Sequence, residues 1–178
     1  GSLYPLKGTD ILLNAFAIEF KGNPHWCLIL VGNQKNNVDY RKMVKKLGIE
    51  HQVLFRGVVE SKNIKSVYEA CDVFVLPSRY DGWGMVASEA IYSGMPVIVS
   101  DAAGCSRHIV HLNKNGHTFR SGDYQSLAEV MILYKDENTI VEYGKYSSLL
   151  FNRFNSEYMS SHFLKTLSLW LSCNENIS

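Results

Sequence analysis

The stretch from Leu76 to Asp101, LPSRYDGWGMVASEAIYSGMPVIVSD, constrains the fold more than any other part of the chain. An apolar run, Asp72-Val73-Phe74-Val75-Leu76, breaks at Pro77-Ser78 and passes into an acid and two glycines, Asp81-Gly82-Trp83-Gly84. Helical spacing follows from about Met85 to Tyr92. Gly94 and Pro96 stop it, and a second apolar run, Val97-Ile98-Val99, ends at Ser100-Asp101. The pattern is strand, glycine loop, helix, strand. In a parallel sheet that unit puts the loop at the carboxyl end of its first strand, where open α/β sheets bind their ligands. Glycines let the backbone approach a ligand, and a helix amino terminus directs free N–H groups at an anion. Asp81 stands in the loop and Glu89, eight positions on, stands in the helix.

A length of 178 residues suffices for the core of about one domain. The formal charge of +1 supplies no global drive towards nucleic acid. No apolar run reaches the ~20 residues of a membrane span and no signal peptide is read, which leaves a peripheral membrane contact open. The four cysteines, Cys27, Cys71, Cys105 and Cys173, form no CxxC pair and read as free thiols of a reducing compartment. The six histidines show no HExxH spacing. His108 and His111 have no carboxylate or thiol pair beside them, so surface histidines are expected and no metal site. No GxGxxG follows the first strand, which disfavours an NAD-binding site.

Taken in order, the chain alternates β and α. Ser2 to Leu6 reads as the end of a strand, with Gly1-Ser2 either native or a cloning remnant. Lys7-Gly8-Thr9-Asp10 precedes a helix carrying Ile11, Leu12, Ala15, Phe16 and Ile18, with Thr9 as its expected N-cap. Lys7 therefore stands just before a helix amino terminus, where it either shares a phosphate with the free N–H groups or is a solvated loop lysine. Trp26 to Val31 is a near-continuous apolar run, expected as a strand covered on both faces, and it ends at Gly32. A polar helix is predicted from about Val38 to Leu47, capped by Gly48, then a strand Val53-Leu54-Phe55 ending at Gly57. Ser61 is the expected cap of a helix reaching Ala70. Beyond Asp101 come a helical piece near Ser106 to Val110, a short strand at His117-Thr118-Phe119, and a helix with Leu127, Val130, Met131 and Leu133 inward. Helical segments from Val141 to about Phe151 and from Ser156 to about Leu171 follow. The last is amphipathic, and the tail 173–178 is expected to be disordered. The alternation predicts one α/β domain over 1–172 with a single Rossmann-like, doubly wound parallel sheet.

Lys7-Gly8, Val31-Gly32, Phe55-Arg56-Gly57-Val58, Pro77-Ser78, Asp81-Gly82-Trp83-Gly84 with Glu89-Ala90, and Gly94-Met95-Pro96-Val97 occur here as one ordered set. From about residue 3 to residue 170 the chain resembles the carboxyl-terminal, nucleotide-sugar-binding domain of a retaining GT-B glycosyltransferase of group 1, or family 4. The resemblance implies that Asp81 contacts hydroxyls of a donor sugar and that Glu89 accepts hydrogen bonds from the ribose hydroxyls. An ionised carboxylate suits both tasks as a charge-assisted acceptor. It implies that backbone N–H groups of Gly82, Trp83, Gly84 and Met85 hold sugar and diphosphate, and that Lys7 neutralises the diphosphate without a metal. Val58 and Val59, after Gly57, would face the nucleobase, and Gly32 would leave room for the nucleotide.

Three departures from the family pattern stand out. Many members carry Glu where Asp81 stands, one methylene longer. Many carry an Arg shortly before the lysine; here Ser2, Leu3 and Leu6 occupy that region, so the second cation either comes from Arg56 or Lys62 or is not needed. No role passes to Arg107 or His108, which stand where the family often has an acid. The resemblance further implies no cofactor beyond the nucleotide diphosphate sugar donor, and a separate amino-terminal acceptor-binding domain as partner. It implies work in the cytoplasm, at the inner face of a membrane where the parent protein touches one, in glycan, lipid-linked or polysaccharide biosynthesis. The isolated domain is expected to bind donor weakly and to transfer nothing. Rival readings are a non-catalytic interaction module, a sugar-nucleotide epimerase of the same fold, and a phosphorylase carrying lysine-bound pyridoxal phosphate.

Overall fold

The computed structural model describes residues 2–34 and 39–154. Strand β1 (Ser2–Leu3) leads through a 3-10 turn, Pro5–Lys7, into helix α1 (Thr9–Phe20). Strands β2 (Leu28–Val31) and β3 (Asn33–Gln34) follow in line, then α2 (Tyr40–Leu47), β4 (Val53–Gly57) and α3 (Ile64–Glu69). Strand β5 (Phe74–Leu76), α4 (Met85–Tyr92) and β6 (Val97–Ser100) form the central unit. The chain continues with α5 (Ser106–Ile109), β7 (Gly116–Phe119), α6 (Tyr124–Met131) and α7 (Glu137–Phe154). Every ladder among the described residues is parallel, as an alternating β–α chain requires.

The ladders fall into three groups, β1 with β3, β2 with β4, and β5-β6-β7, where a single sheet was expected. The reason lies at β1. Its two residues pair with Asn33 and Gln34, just past the end of β2. The turn behind it meets the chain just past β5, where the Arg79 N–H donates to the Leu6 carbonyl at 2.8 Å. Strand β1 and the turn after it thus connect the segments that leave β2 and β5, β1 itself pairing over two residues only. Below it a cavity of about 890 Å³ lies between them, lined by Leu28–Val31 on one side and Val73–Leu76 on the other. The residues of β2, expected to be covered on both faces, are accordingly half-buried except Leu30. Strand β6, paired on both sides, is buried at all four positions.

Helix α1 packs Ile11, Leu12, Leu13, Phe16 and Phe20 into one core with Leu127, Ala128 and Met131 of α6 and with Tyr40 and Val44 of α2. Each large side chain so buried contributes roughly 1.5–3 kcal/mol. A second core gathers Leu76, Ala87, Ala90, Ile91, Val97, Val99 and Cys105 around the central unit, with Leu150 of α7 against it. Strand β6 joins the two cores, giving Ile98 to the first and Val97 and Val99 to the second.

Several local expectations need correction. Thr9 is the first residue inside α1. Gly8, at φ +66°, takes the N-cap place without a side-chain hydrogen bond. Ser61 opens a 3-10 turn, Ser61–Asn63, and caps nothing through its side chain. Leu133 is exposed and Tyr134 is buried in its stead, because the helix tightens to 3-10 geometry over Ile132–Lys135 and rotates the next side chain inward. Strand β2 begins at Leu28, two residues after Trp26. The helix expected over 156–171 and the tail 173–178 lie outside the described residues.

Candidate functional site

The loop between β5 and α4 is held in shape by its backbone. The Gly104 N–H donates to the Asp81 carbonyl at 3.0 Å and the Cys105 N–H to the Trp83 carbonyl at 2.8 Å. Gly104 lies so close beneath Gly82 that a Cβ there would strike the Gly82 carbonyl oxygen. Gly84 turns the chain into α4 at φ +91°, and a Cβ there would come within 2.8 Å of Leu76 and 2.9 Å of Cys105. The amino terminus of α4 therefore starts from a glycine with no capping side chain, its backbone open to a ligand. Burial and the neighbouring Asp81 push the Cys105 thiol up to about 11, so beneath the loop it is a packing group and not a nucleophile. The Trp83 ring stacks on His108 at 5.5 Å between centroids.

Lys7 reaches this loop from the other side of the cleft. Its Nζ donates to Asp81 Oδ2 at 2.6 Å, joining residues 74 apart in sequence. The pair is partly open to solvent, with the Asp81 side chain 15% exposed and that of Lys7 32%. A clamp fixes the turn that carries Lys7. Arg79 gives Nη1 and Nη2 to the two carboxylate oxygens of Asp10 at 2.7 and 2.6 Å, and Nη1 also to the Pro5 carbonyl at 2.7 Å. The guanidinium holds the Asp10 carboxyl below its ordinary range. A two-pronged pair of this kind fixes orientation as well as distance. Arg79 belongs to no motif in the sequence. Nothing short of the folded contact pairs it with Asp10.

Glu89 is exposed on the second turn of α4, and its Oε2 accepts from the Tyr68 hydroxyl of α3 at 2.9 Å. Lys7, Asp81, Gly82, Trp83, Gly84, Met85, Glu89 and Val59 all line the 890 Å³ cavity, at the carboxyl end of the strands where the sequence pattern predicted a site. Gly32 and Gly57 lie together beside it, the Gly32 N–H donating to the Gly57 carbonyl at 2.8 Å. Val58 is 75% exposed and is not part of the cavity lining, whereas Val59 contributes to it. Arg56 and Lys62, the candidate substitutes for a second cation, do not line the cavity.

Chemically, the site offers one ammonium, two carboxylates, an uncapped helix amino terminus and glycine backbone in one cleft. That set can neutralise an anion, accept from several hydroxyls and lie against a polyhydroxylated ligand. Among the described residues no three His, Cys, Asp or Glu side chains gather as metal ligands, and no helix is long and apolar enough to cross a membrane.

The family profile of glycosyl transferases group 1 covers residues 1–148. Mannosylfructose-phosphate synthase of Agrobacterium fabrum is 35% identical over 117 residues, covering 61% of this chain and 26% of that protein. The lipopolysaccharide core biosynthesis mannosyltransferase LpsB of Rhizobium meliloti is 26% identical over 137 residues, covering 74% and 38%. Among solved structures, Anabaena HepE in complex with UDP superposes with a TM-score of 0.80 at 26% identity, over 94% of this chain and 47% of that one. The C-terminal domain of the Francisella tularensis group 1 family protein LpcC superposes with a TM-score of 0.77 at 27% identity, over 86% and 82%. The chain thus spans well under half the length of these two curated relatives. Its α/β fold is that of the carboxyl-terminal domain of a GT-B glycosyltransferase.

Proposed function

The chain belongs to the group 1 glycosyl transferases, and on that premise we propose that it is the donor-binding half of a metal-independent, retaining enzyme. The full-length protein moves a sugar from a nucleotide diphosphate sugar to an acceptor hydroxyl supplied through its amino-terminal domain. The observation that carries this reading is the convergence of Lys7, Asp81, Glu89 and the amino terminus of α4 on one cavity. The complexes of HepE with UDP and with UDP-glucose support it by likeness.

Each group has a task in that cleft. Glu89 accepts from the ribose hydroxyls. Val59, at the exit of β4, lies beside the base, with Gly32, Gly57 and Val58 forming the rim. The N–H groups of Gly82, Trp83, Gly84 and Met85 face the sugar and the diphosphate. Lys7 and Asp81 neutralise each other at 2.6 Å. An incoming diphosphate draws the ammonium to itself and frees the Asp81 carboxylate to accept from the sugar hydroxyls. As the glycosidic bond lengthens, positive charge spreads over the anomeric carbon and ring oxygen while negative charge builds on the leaving phosphate. Lys7 and the helix dipole lie where that negative charge develops, a preorganised arrangement worth most in a cleft from which water is displaced. The work is placed in the cytoplasm, at the inner membrane face where the acceptor is lipid-linked.

The test is calorimetric titration of the chain with UDP, GDP and ADP. One nucleoside diphosphate is expected to bind. Glu89→Ala weakens it at least about tenfold, the loss of a hydrogen bond to a charged group. Lys7→Ala weakens the diphosphate more than the matching monophosphate. Binding of none of the three, or binding indifferent to Glu89→Ala, overturns the assignment.

A further inference from the structure

Tyr68 stands outside every motif that pointed to the site, on the short helix α3. Its ring is half-buried and tilts against Phe74 at 6.1 Å between centroids, so the phenol is held by packing. Its hydroxyl lies 2.9 Å from Glu89 Oε2 and 3.4 Å from the Val86 carbonyl. A phenol has one proton to give, and the shorter, ionised acceptor takes it. Burial and the adjoining carboxylate hold the phenol well above its ordinary pKa, so it stays a donor across the working range.

Glu89 is exposed, and an exposed glutamate left to itself spreads over several rotamers. Here one of its two oxygens is tied to a packed ring, while Oε1 remains for a ligand. The tie also sits at a crossing of spaces. Tyr68 and Glu89 together line both the main cavity and a neighbouring hollow of about 340 Å³ bounded by Lys65, Ser88 and Tyr92. A swing of Glu89 into the hollow would remove its carboxylate from the cleft, and the phenol opposes that swing.

We propose that Tyr68 is a positioning residue for ribose recognition, holding the Glu89 carboxylate in the cleft so that its second oxygen accepts from a ribose hydroxyl. The inference rests on the donor-site reading and adds a residue and a selectivity to it. Tyr68 touches no part of the nucleotide. It acts through Glu89 and converts a mobile acceptor into a fixed one.

The experiment uses the nucleoside diphosphate that binds the unaltered chain, together with its 2′-deoxy and 3′-deoxy forms, titrated against wild type, Tyr68→Phe, Glu89→Gln and the double variant. Phenylalanine keeps the ring and its packing on Phe74, and a thermal melt without nucleotide checks that the fold is kept. Tyr68→Phe is expected to weaken the ribonucleotide about fivefold to tenfold, a large part of the rotamer freedom that a released glutamate regains. It leaves at least one deoxy form nearly unchanged, so the ribose preference collapses, and it has no further effect in the Glu89→Gln background. A purely structural role would instead lower all three affinities together. Ribonucleotide preference undiminished in Tyr68→Phe, or equal losses for ribo and deoxy forms, overturns this inference while leaving the donor site standing. Failure of every nucleotide to bind wild type removes both at once.

Discussion

Gly8 shows how one backbone position sets the reach of a functional side chain. It holds φ +66° between the turn that carries Lys7 and the first turn of α1, and a Cβ there would run into the Pro77 carbonyl. Gly22 has a similar dihedral, φ +77°, but a Cβ added to it meets nothing within 4 Å. The two glycines separate two costs. Gly22→Ala carries only the left-handed backbone penalty, about 1–2 kcal/mol. Gly8→Ala adds the displacement of Pro77, roughly 1–3 kcal/mol more by the scale of overpacked cores. At about 2–4 °C per kcal/mol for a chain of this size, Gly8→Ala is expected to melt several degrees below Gly22→Ala. Equal melting temperatures would mean that α1 does not approach the β5 exit so closely. Lys7-Gly8 was legible in the sequence as a cation before a helix. Its meeting with Asp81 was not, because that contact depends on Arg79 clamping Asp10 and Pro5, and no local pattern encodes such a pairing.

The same contrast holds for whole elements. Helix α4 and strand β6 were readable almost to the residue, since Gly84, Gly94 and Pro96 punctuate them and the apolar run of β6 is buried throughout. Boundaries failed where tertiary geometry replaced local chemistry. A left-handed Gly8 displaced Thr9 as the cap, and a 3-10 segment turned Tyr134 inward in place of Leu133. The sheet is the larger case. An unbroken parallel sheet was expected from the β–α alternation, and its interruption between β2 and β5 has no counterpart in periodicity. That interruption predicts a pattern of amide exchange. In a parallel strand successive N–H groups point to opposite edges, so a strand paired on one side protects only alternate amides. Strand β6 has partners on both sides and is expected to exchange slowly at every position, whereas β2 and β5 should show fast and slow amides in alternation. Uniform protection along Leu28–Val31, read by hydrogen-exchange NMR, would mean that a further chain segment pairs with β2 in solution.

For the molecule as a whole, the distribution of groups around the cleft separates binding from turnover. The wall built by this chain holds an ammonium, two carboxylates and a helix amino terminus, all suited to the donor. Among the described residues it offers the cavity no buried histidine: His25, which lines it, and His108, stacked on Trp83, are both exposed. Glycosyl transfer also needs an acceptor hydroxyl held at attacking distance and water kept from the anomeric carbon, and positioning alone supplies up to roughly 7–11 kcal/mol of such barriers. One open wall supplies neither. The chain spans 47% of HepE, and the function proposed above assigns the opposing wall to an amino-terminal domain. Purified alone, it is therefore expected to bind its nucleotide yet to release no sugar from a labelled sugar nucleotide faster than buffer does, with or without added acceptor. Joined to an amino-terminal acceptor domain, as proposed, it is expected to transfer, and Asp81→Ala should abolish that transfer while leaving nucleotide binding within a few-fold, because the proposed reading sets Asp81 against the sugar and Glu89 against the ribose. Turnover above buffer hydrolysis by the isolated chain would show that one wall suffices, and would move the catalytic burden onto Lys7 and Asp81 alone.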